Sequence, residues 1–107
     1  MTTFDKRREG YESKFARDQE LHFKALARRN KLLGLWAAEK LGKSGDDAQA
    51  YAREVVRADM QEAGDEDVFR KIRADFDAAA VAQSDHQIRR TMEELTVEAV
   101  AQIEAGT

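Results

Sequence analysis

Few residues of this sequence have the type and spacing that a chemical role would require. The tripeptide Gly42–Ser44 resembles the end of a phosphate-binding loop, but the glycine that such a loop needs five residues earlier is Ala37. The preceding residues have the pattern of a helix rather than a strand, so we interpret the tripeptide as a helix end followed by a turn. His22 and His86 have no second metal ligand at helical spacing and are predicted to lie on the surface. Neither pattern predicts a nucleotide-binding loop or a metal site.

Charged side chains are the other candidates. Glu94 and Glu98 share one helix face, but a highly charged helical protein contains such pairs by chance, and we interpret them as solvated. The basic pairs Arg28–Arg29 and Arg89–Arg90 have the charge to contact phosphates. They leave open one alternative function, a small helical bundle that senses a nucleotide or another anion. No pattern predicts catalysis, so we predict that the chain is not an enzyme.

Composition indicates the fold class of this chain of 107 residues, which is long enough for one domain. The absence of cysteine excludes disulfides and zinc-thiolate sites, and the absence of proline removes the commonest helix breaker. Alanine, leucine and charged helix formers dominate, so the prediction is all-α. No apolar run approaches the roughly 20 residues of a membrane span, and the first residues do not resemble a signal peptide. We therefore expect a cytoplasmic protein without direct membrane insertion.

Charge is distributed unevenly along the chain. Residues 21–43 carry six basic side chains and one acidic one, a net charge of +5, whereas residues 44–107 carry seven basic and fifteen acidic ones, a net charge of −8. The simplest consequence is a basic first helix that packs among acidic ones. The acidic remainder of the chain opposes binding to nucleic acid.

Apolar periodicity predicts four helices, over residues 19–41, 46–63, 66–82 and 85–104. The first contains Trp36 within a wide apolar arc, which is typical of a helix with several neighbours, and Gly42 is predicted to end it in a left-handed conformation. An approximate capping box is predicted at Ser44 with Asp47 and a standard one at Ser84 with Gln87. Asp65 is predicted to cap the third helix. Short connections favour an antiparallel four-helix bundle, preceded by a flexible or partly helical N-terminal arm over residues 1–18.

The arm has apolar anchors at Phe4, Tyr11 and Phe15, whose spacings of seven and four residues place them on one face of a helix. Gly10 would cost such a helix about 1 kcal/mol relative to alanine. Two interpretations stay open from these residues alone. The arm is either the frayed start of the first helix or a mobile segment that becomes helical on a partner.

A resemblance to a known family adds to this picture. The chain resembles the zeta subunit of the alphaproteobacterial F-type ATP synthase in the central block ARRNKLLGLWAAEKLG, with its Asn30, Gly34 and Trp36. The segments FDKR, KFARDQEL, HFKA, DVFRKIRADFD and SDHQIRRTMEEL extend the resemblance over essentially the whole chain. Arg8 and Gly10 depart from the family pattern, where an acidic residue and a better helix former are expected.

The resemblance implies a regulatory subunit that blocks ATP hydrolysis by the catalytic head of the synthase. Its N-terminal segment would become helical when it is inserted between an alpha/beta catalytic interface and the central gamma stalk, and the bundle would be the body that carries it. The implied partner-binding residues are Phe4, Asp5, Lys6, Arg7, Glu9, Tyr11, Glu12, Lys14, Phe15, Arg17 and Asp18.

The partners that the resemblance implies are the alpha, beta and gamma subunits of the head, which would place the protein in the cytoplasm, peripheral to the inner membrane. We expect a monomer when the protein is free. No cofactor is predicted. Weak ATP or ADP binding is associated with the family, but no residue of this sequence can be assigned to it.

Overall fold

Four helices make up the described parts of the chain. A computed structural model describes residues 3–59 and 65–106, with side chains for residues 19–59 and 65–106. Helix α1 spans Thr3–Lys40, α2 Gly45–Ala58, α3 Glu66–Ala78 and α4 Asp85–Glu104. The all-α prediction is therefore confirmed. None of the helices in these ranges combines the length and hydropathy that a membrane span requires.

Helix α1 is the central element of the bundle. It packs along both α2 and α4, whereas α3 lies mainly against α2 and α4. Leu33, Ala37 and Ala38 of α1 are completely buried, as the wide apolar arc predicts. The Arg28 guanidinium donates to the side chain of Gln102 near the end of α4, which is consistent with the antiparallel packing of these two helices.

The core lies where α1 faces the other three helices. The Trp36 ring packs edge-on against Phe76 of α3, with 5.6 Å between ring centroids and 61° between planes. Each helix contributes a stripe at helical spacing, as predicted. The cluster of buried residues consists of Leu33, Ala37, Ala38, Tyr51, Val55, Val68, Phe69, Ile72, Phe76, Ile88 and Met92.

Helix ends follow the predicted signals in two places. Gly42 has a φ of +78°, and the amide of Lys43 donates to the carbonyl of Ala38 at 2.8 Å, which is the left-handed ending predicted for α1. The hydroxyl of Ser84 accepts from the Gln87 amide at 3.1 Å, and the Gln87 side chain accepts from the Ser84 amide at 2.8 Å. The capping box of α4 is therefore confirmed.

Two other predicted caps differ from the structure. Ser44 precedes α2 but its side chain makes no capping hydrogen bond, and Asp47 is one methylene shorter than the glutamate that a reciprocal bond uses. Asp65 precedes α3 with φ −98° and ψ −3°, rather than the extended conformation from which a side chain reaches back to the helix amides. Its carboxylate instead accepts a hydrogen bond from Arg29.

Helices α2 and α3 end earlier than the predicted residues 63 and 82. Asp59 follows the last residue of α2, and the predicted closing residues Ala63 and Gly64 lie outside the described part of the chain. After α3, Ala80 adopts a φ of +56° and the amide of Val81 donates to the carbonyl of Phe76 at 2.8 Å. An alanine thus takes the left-handed position usually held by glycine. Ala79 and Ala80, whose spacing after Phe76 predicts core positions in a longer third helix, are exposed.

Gly34 allows α1 and α2 to approach each other closely. A Cβ atom at this position would lie 2.6 Å from the Cα of Ala52 and 3.3 Å from the Cβ of Val55. A contact of 2.6 Å with backbone cannot be relieved by a side-chain rotation, so the two helices would have to move apart.

Gly34→Ala is therefore expected to destabilise the protein by about 1 kcal/mol. Overpacking of this kind costs about 1–3 kcal/mol, and the higher helix propensity of alanine offsets about 1 kcal/mol of it. Urea denaturation measures the free energy of unfolding. The double variant with Ala52→Gly should not recover the loss, because the 2.6 Å contact with the Ala52 Cα remains and a glycine inside α2 costs about 1 kcal/mol relative to alanine. A Gly34→Ala protein as stable as the parent would contradict this account of the interface.

Candidate functional site

The residues predicted to bind a partner all belong to the arm. Residues 3–18 form part of α1, but their side chains lie outside the described ones. The structure therefore neither brings these side chains together nor separates them. Their assignment to a binding surface stays a prediction.

The junction between arm and bundle lies within the described part of α1. Among the side chains of α1 described from Gln19 onward, Ala25 is the first that is buried, and His22 and Phe23 just before it are exposed. Lys24 and Glu20 form an ion pair of 2.9 Å one helical turn apart, with both side chains more than half exposed. Among the described side chains of α1, burial against the bundle is therefore first seen at Ala25.

A buried polar network occupies α1 immediately beyond this junction. Arg29 is 2% exposed and Asn30 is 1% exposed. The Nε of Arg29 donates to the Oδ1 of Asn30 at 2.8 Å, and its Nη2 donates to the Oδ1 of Asp65 at 2.8 Å. The side-chain Nδ2 of Asn30 donates to the Oδ2 of Asp59 at 2.8 Å. The Nη1 of Arg29 lies 3.5 Å from the hydroxyl of Thr96. Arg29 and Asn30 of α1 therefore contact the residue that follows α2, the residue that precedes α3 and the middle of α4.

The chemistry of this network is structural. A buried guanidinium is tolerated when its donors are satisfied and a carboxylate neutralises its charge, and Asn30 and Asp65 provide these conditions. Arg29, which the anion-sensing alternative offered as a phosphate contact, is for this reason not accessible to a ligand at the surface. A signal was present in the sequence, because Arg29, Leu33 and Ala37 are spaced by four residues and lie on one stripe.

Electrostatics at the network act mainly on Asp65. The hydrogen bond from Arg29 lowers the pKa of the Asp65 carboxyl below its usual value, and the positive charges of Arg29 and His22 act in the same direction. Because the pKa is lower in the folded protein than in the unfolded chain, ionised Asp65 stabilises the fold above about pH 4. That contribution is lost as the pH falls through the folded pKa.

Asp65→Asn is accordingly expected to reduce the acid sensitivity of the fold. The variant should be less stable than the parent at pH 7, and the difference should shrink below about pH 4, where the parent carboxyl becomes protonated. Urea denaturation at a series of pH values measures this. Glu104→Gln, which neutralises an exposed carboxylate near the end of α4, is the matched control for the change in charge. Equal pH dependence of Asp65→Asn and the parent would refute the assignment.

Two of the cations that an anion-binding site would use, Arg89 and Arg90, are paired with carboxylates of the chain. Arg89 stacks over Phe69, with the guanidinium carbon 3.9 Å from the ring centroid, and donates to Glu66 at 3.1 and 3.4 Å. Arg90 donates to Glu94 at 3.0 Å. An anion would therefore have to compete with carboxylates for these groups.

A second polar cluster links α2 to α3. The hydroxyl of Tyr51 donates to Asp75 at 2.8 Å, and the ammonium of Lys71 lies 3.1 Å from the same carboxylate and 5.1 Å from the Tyr51 ring centroid. Burial, with the adjacent Asp75 carboxylate, raises the pKa of Tyr51, so the phenol stays protonated and donates. This arrangement fixes the contact between two helices and offers no group for catalysis.

Metal binding receives no support from the described side chains. His22 and His86 are both exposed, as predicted. In the part of the chain that the structure describes, no three acidic or histidine side chains are grouped closely enough to hold a metal ion.

Comparisons with known proteins identify what this arrangement resembles. The family model of ATPase inhibitor subunit zeta matches residues 1–102. Among solved structures, the chain is similar to a protein whose structure was determined in solution by NMR. The two are 52% identical with a TM-score of 0.72, over 81% of this chain and 99% of the other. No curated protein matches the chain.

Proposed function

Because the chain belongs to the family of ATPase inhibitor subunit zeta, we propose that it is a regulatory subunit that binds the catalytic head of the F-type ATP synthase and blocks ATP hydrolysis. The observation that carries this proposal is the extent of the family match, since residues 1–102 include both the arm and the bundle. The protein acts by binding another protein rather than by catalysing a reaction.

The arm over residues 1–18 is the inhibitory element in this proposal. It inserts as a helix at an interface of the alpha, beta and gamma subunits and prevents that interface from completing its cycle of opening and closing. Phe4, Tyr11 and Phe15 would be buried as anchors, while the charged side chains pair at the rim. The division into arm and body is supported at the junction, because none of the side chains from Gln19 to Lys24 is buried.

The bundle is the body that carries the arm. Its core cluster, whose described members extend from Leu33 to Met92, supplies the apolar burial that a domain of this size needs. The polar network of Arg29 and Asn30 fixes the other three helices on α1 just beyond the arm. The body therefore provides a defined attachment for a segment that acts outside it.

The anion-sensing alternative is less well supported. Arg29, Arg89 and Arg90 are each held by a carboxylate within the chain, at distances of 2.8, 3.1 and 3.0 Å. A protein that recognises a phosphate group needs such cations to be free to meet it. We therefore retain the inhibitor as the proposed function.

The proposal places the protein in the cytoplasm, held at the inner membrane only through the synthase. Its direct partners would be the alpha, beta and gamma subunits of the head, and the free protein would be a monomer. The experiment that tests the proposal removes residues 2–18 and measures ATP hydrolysis by a synthase from which the native subunit has been stripped.

A further inference from the structure

Two large apolar side chains of the described residues are exposed to solvent. Phe23 on α1 is 69% exposed and Val97 on α4 is 72% exposed. Single apolar residues on a surface are common and carry no meaning by themselves. Their positions differ, however, because Phe23 lies at the junction of the arm with the bundle and Val97 lies on the outer face of α4.

The stability of the bundle does not account for a phenylalanine at position 23. A side chain that remains 69% exposed contributes little apolar burial to the fold. A polar residue such as glutamine also has a higher helix propensity than phenylalanine. Folding alone would therefore be served at least as well by a polar side chain at this position.

Phe23 is close to the arm along a single helix. Helix α1 runs from Thr3 to Lys40, and five residues of helix separate Asp18 from Phe23 by about 7–8 Å along the axis. Position 23 lies about 100° around the helix from the face that Phe4, Tyr11 and Phe15 share, so a protein that encloses the arm on more than one side as far as Asp18 has its surface within reach of the Phe23 ring. One helical turn before Phe23 lie the exposed Gln19 and Glu20, and Glu20 forms an exposed ion pair with Lys24.

We propose that Phe23 is a further anchor for the catalytic head of the synthase, and that the partner-binding surface extends beyond the arm into the body. This inference rests on the proposed function. The matching site on the partner is an apolar pocket that receives the phenyl ring, with a polar rim that meets Glu20 and Lys24. Aromatic side chains at the centre of such a contact, surrounded by charged groups, are typical of residues that dominate binding.

Phe23→Gln in the full-length chain tests the inference. The half-inhibitory concentration for ATP hydrolysis by the stripped synthase should rise roughly 10- to 100-fold, which corresponds to losing the burial of one phenylalanine. Phe23→Leu should give a smaller rise, because it retains an apolar side chain. Val97→Gln removes a similarly exposed apolar side chain from α4 and should leave inhibition unchanged. Thermal unfolding should be nearly the same for all three variants, since neither site is buried.

The outcomes separate this inference from the proposed function. If deletion of residues 2–18 abolishes inhibition while Phe23→Gln inhibits as well as Val97→Gln, the anchor is refuted and the proposed function stands. If the deleted chain still inhibits fully, the proposed role of the arm is refuted instead. A second copy of this chain is the other candidate for covering Phe23, and sedimentation tests it. If the parent is a dimer and Phe23→Gln makes it a monomer without loss of inhibition, Phe23 serves self-association and the inference is overturned.

Discussion

A chain that lacks residues 2–18 is expected to lose its inhibition of ATP hydrolysis while its bundle remains folded. The deletion ends before Ala25, the first buried residue in the described part of α1, and before the core cluster that begins with Leu33. The truncated helix still carries Arg29 and Asn30, which bind the other three helices. Far-ultraviolet circular dichroism and thermal unfolding measure the fold, and hydrolysis by the stripped synthase measures inhibition.

A full-length control distinguishes the chemistry of the arm from its mere presence. The triple variant Phe4→Gln, Tyr11→Gln and Phe15→Gln keeps the length and the charges of the arm but removes its predicted apolar anchors. We expect it to lose most of the inhibition, since aromatic anchors usually supply a large share of the affinity of a helix in a groove. Full inhibition by the deleted chain would show that another surface blocks the enzyme.

Periodicity was sufficient to predict the helices and most of the core, because an apolar stripe has few ways to be buried. Phe69, Ile72 and Phe76 of α3, and Ile88 and Met92 of α4, lie in the core as their spacing indicates. The apolar stripe of α1 also contains Arg29. A sequence, however, does not show which carboxylate will pair with a buried guanidinium. Asp65 is 36 positions from Arg29 in the chain. Because an aspartate before a helix is usually interpreted as its cap, the sequence does not indicate that Asp65 pairs with Arg29.

Helix ends were predictable where a residue with a special backbone preference or a complete capping box marks them. Gly42 ends α1 with a positive φ, as the sequence indicates. At the end of α3 the same backbone conformation is adopted by Ala80, in a run of alanines that favours continuation of the helix. Packing of Val81 against the core compensates for the cost of this conformation, and such tertiary effects are not visible in local sequence.

The binding surface was predictable in a different way. The anchors of the arm follow from spacing and from the family resemblance, whereas Phe23 has no distinguishing pattern in the sequence. A phenylalanine in a predicted helix is more often buried than exposed, so only the structure could identify it as uncovered. Exposure depends on how far the other helices extend along α1, which is a property of the assembled bundle.

The largest loss of stability is expected when the ion pair between Arg29 and Asp65 is broken by substituting Asp65, the more exposed of the two residues. Arg29 is only 2% exposed in the parent, and Asp65→Ala removes the carboxylate that neutralises its guanidinium. Removing one partner of a buried pair typically costs about 3–5 kcal/mol. Because the Asp65 side chain is 52% exposed and solvent screens the pair, we expect about 3 kcal/mol or slightly less.

A second substitution should then restore part of that stability. In the Asp65→Ala background, Arg29→Met replaces an uncompensated buried charge with an apolar side chain of similar length, so the double variant should unfold at a higher urea concentration than Asp65→Ala alone. Tyr51→Phe, which removes a hydrogen bond between α2 and α3 and shares no partner with Arg29, is the control and should add to Asp65→Ala without recovery. If Arg29→Met instead lowers stability further in the Asp65→Ala background, the buried hydrogen bond from Arg29 to Asn30 contributes more than the uncompensated charge costs, and the expected recovery is refuted.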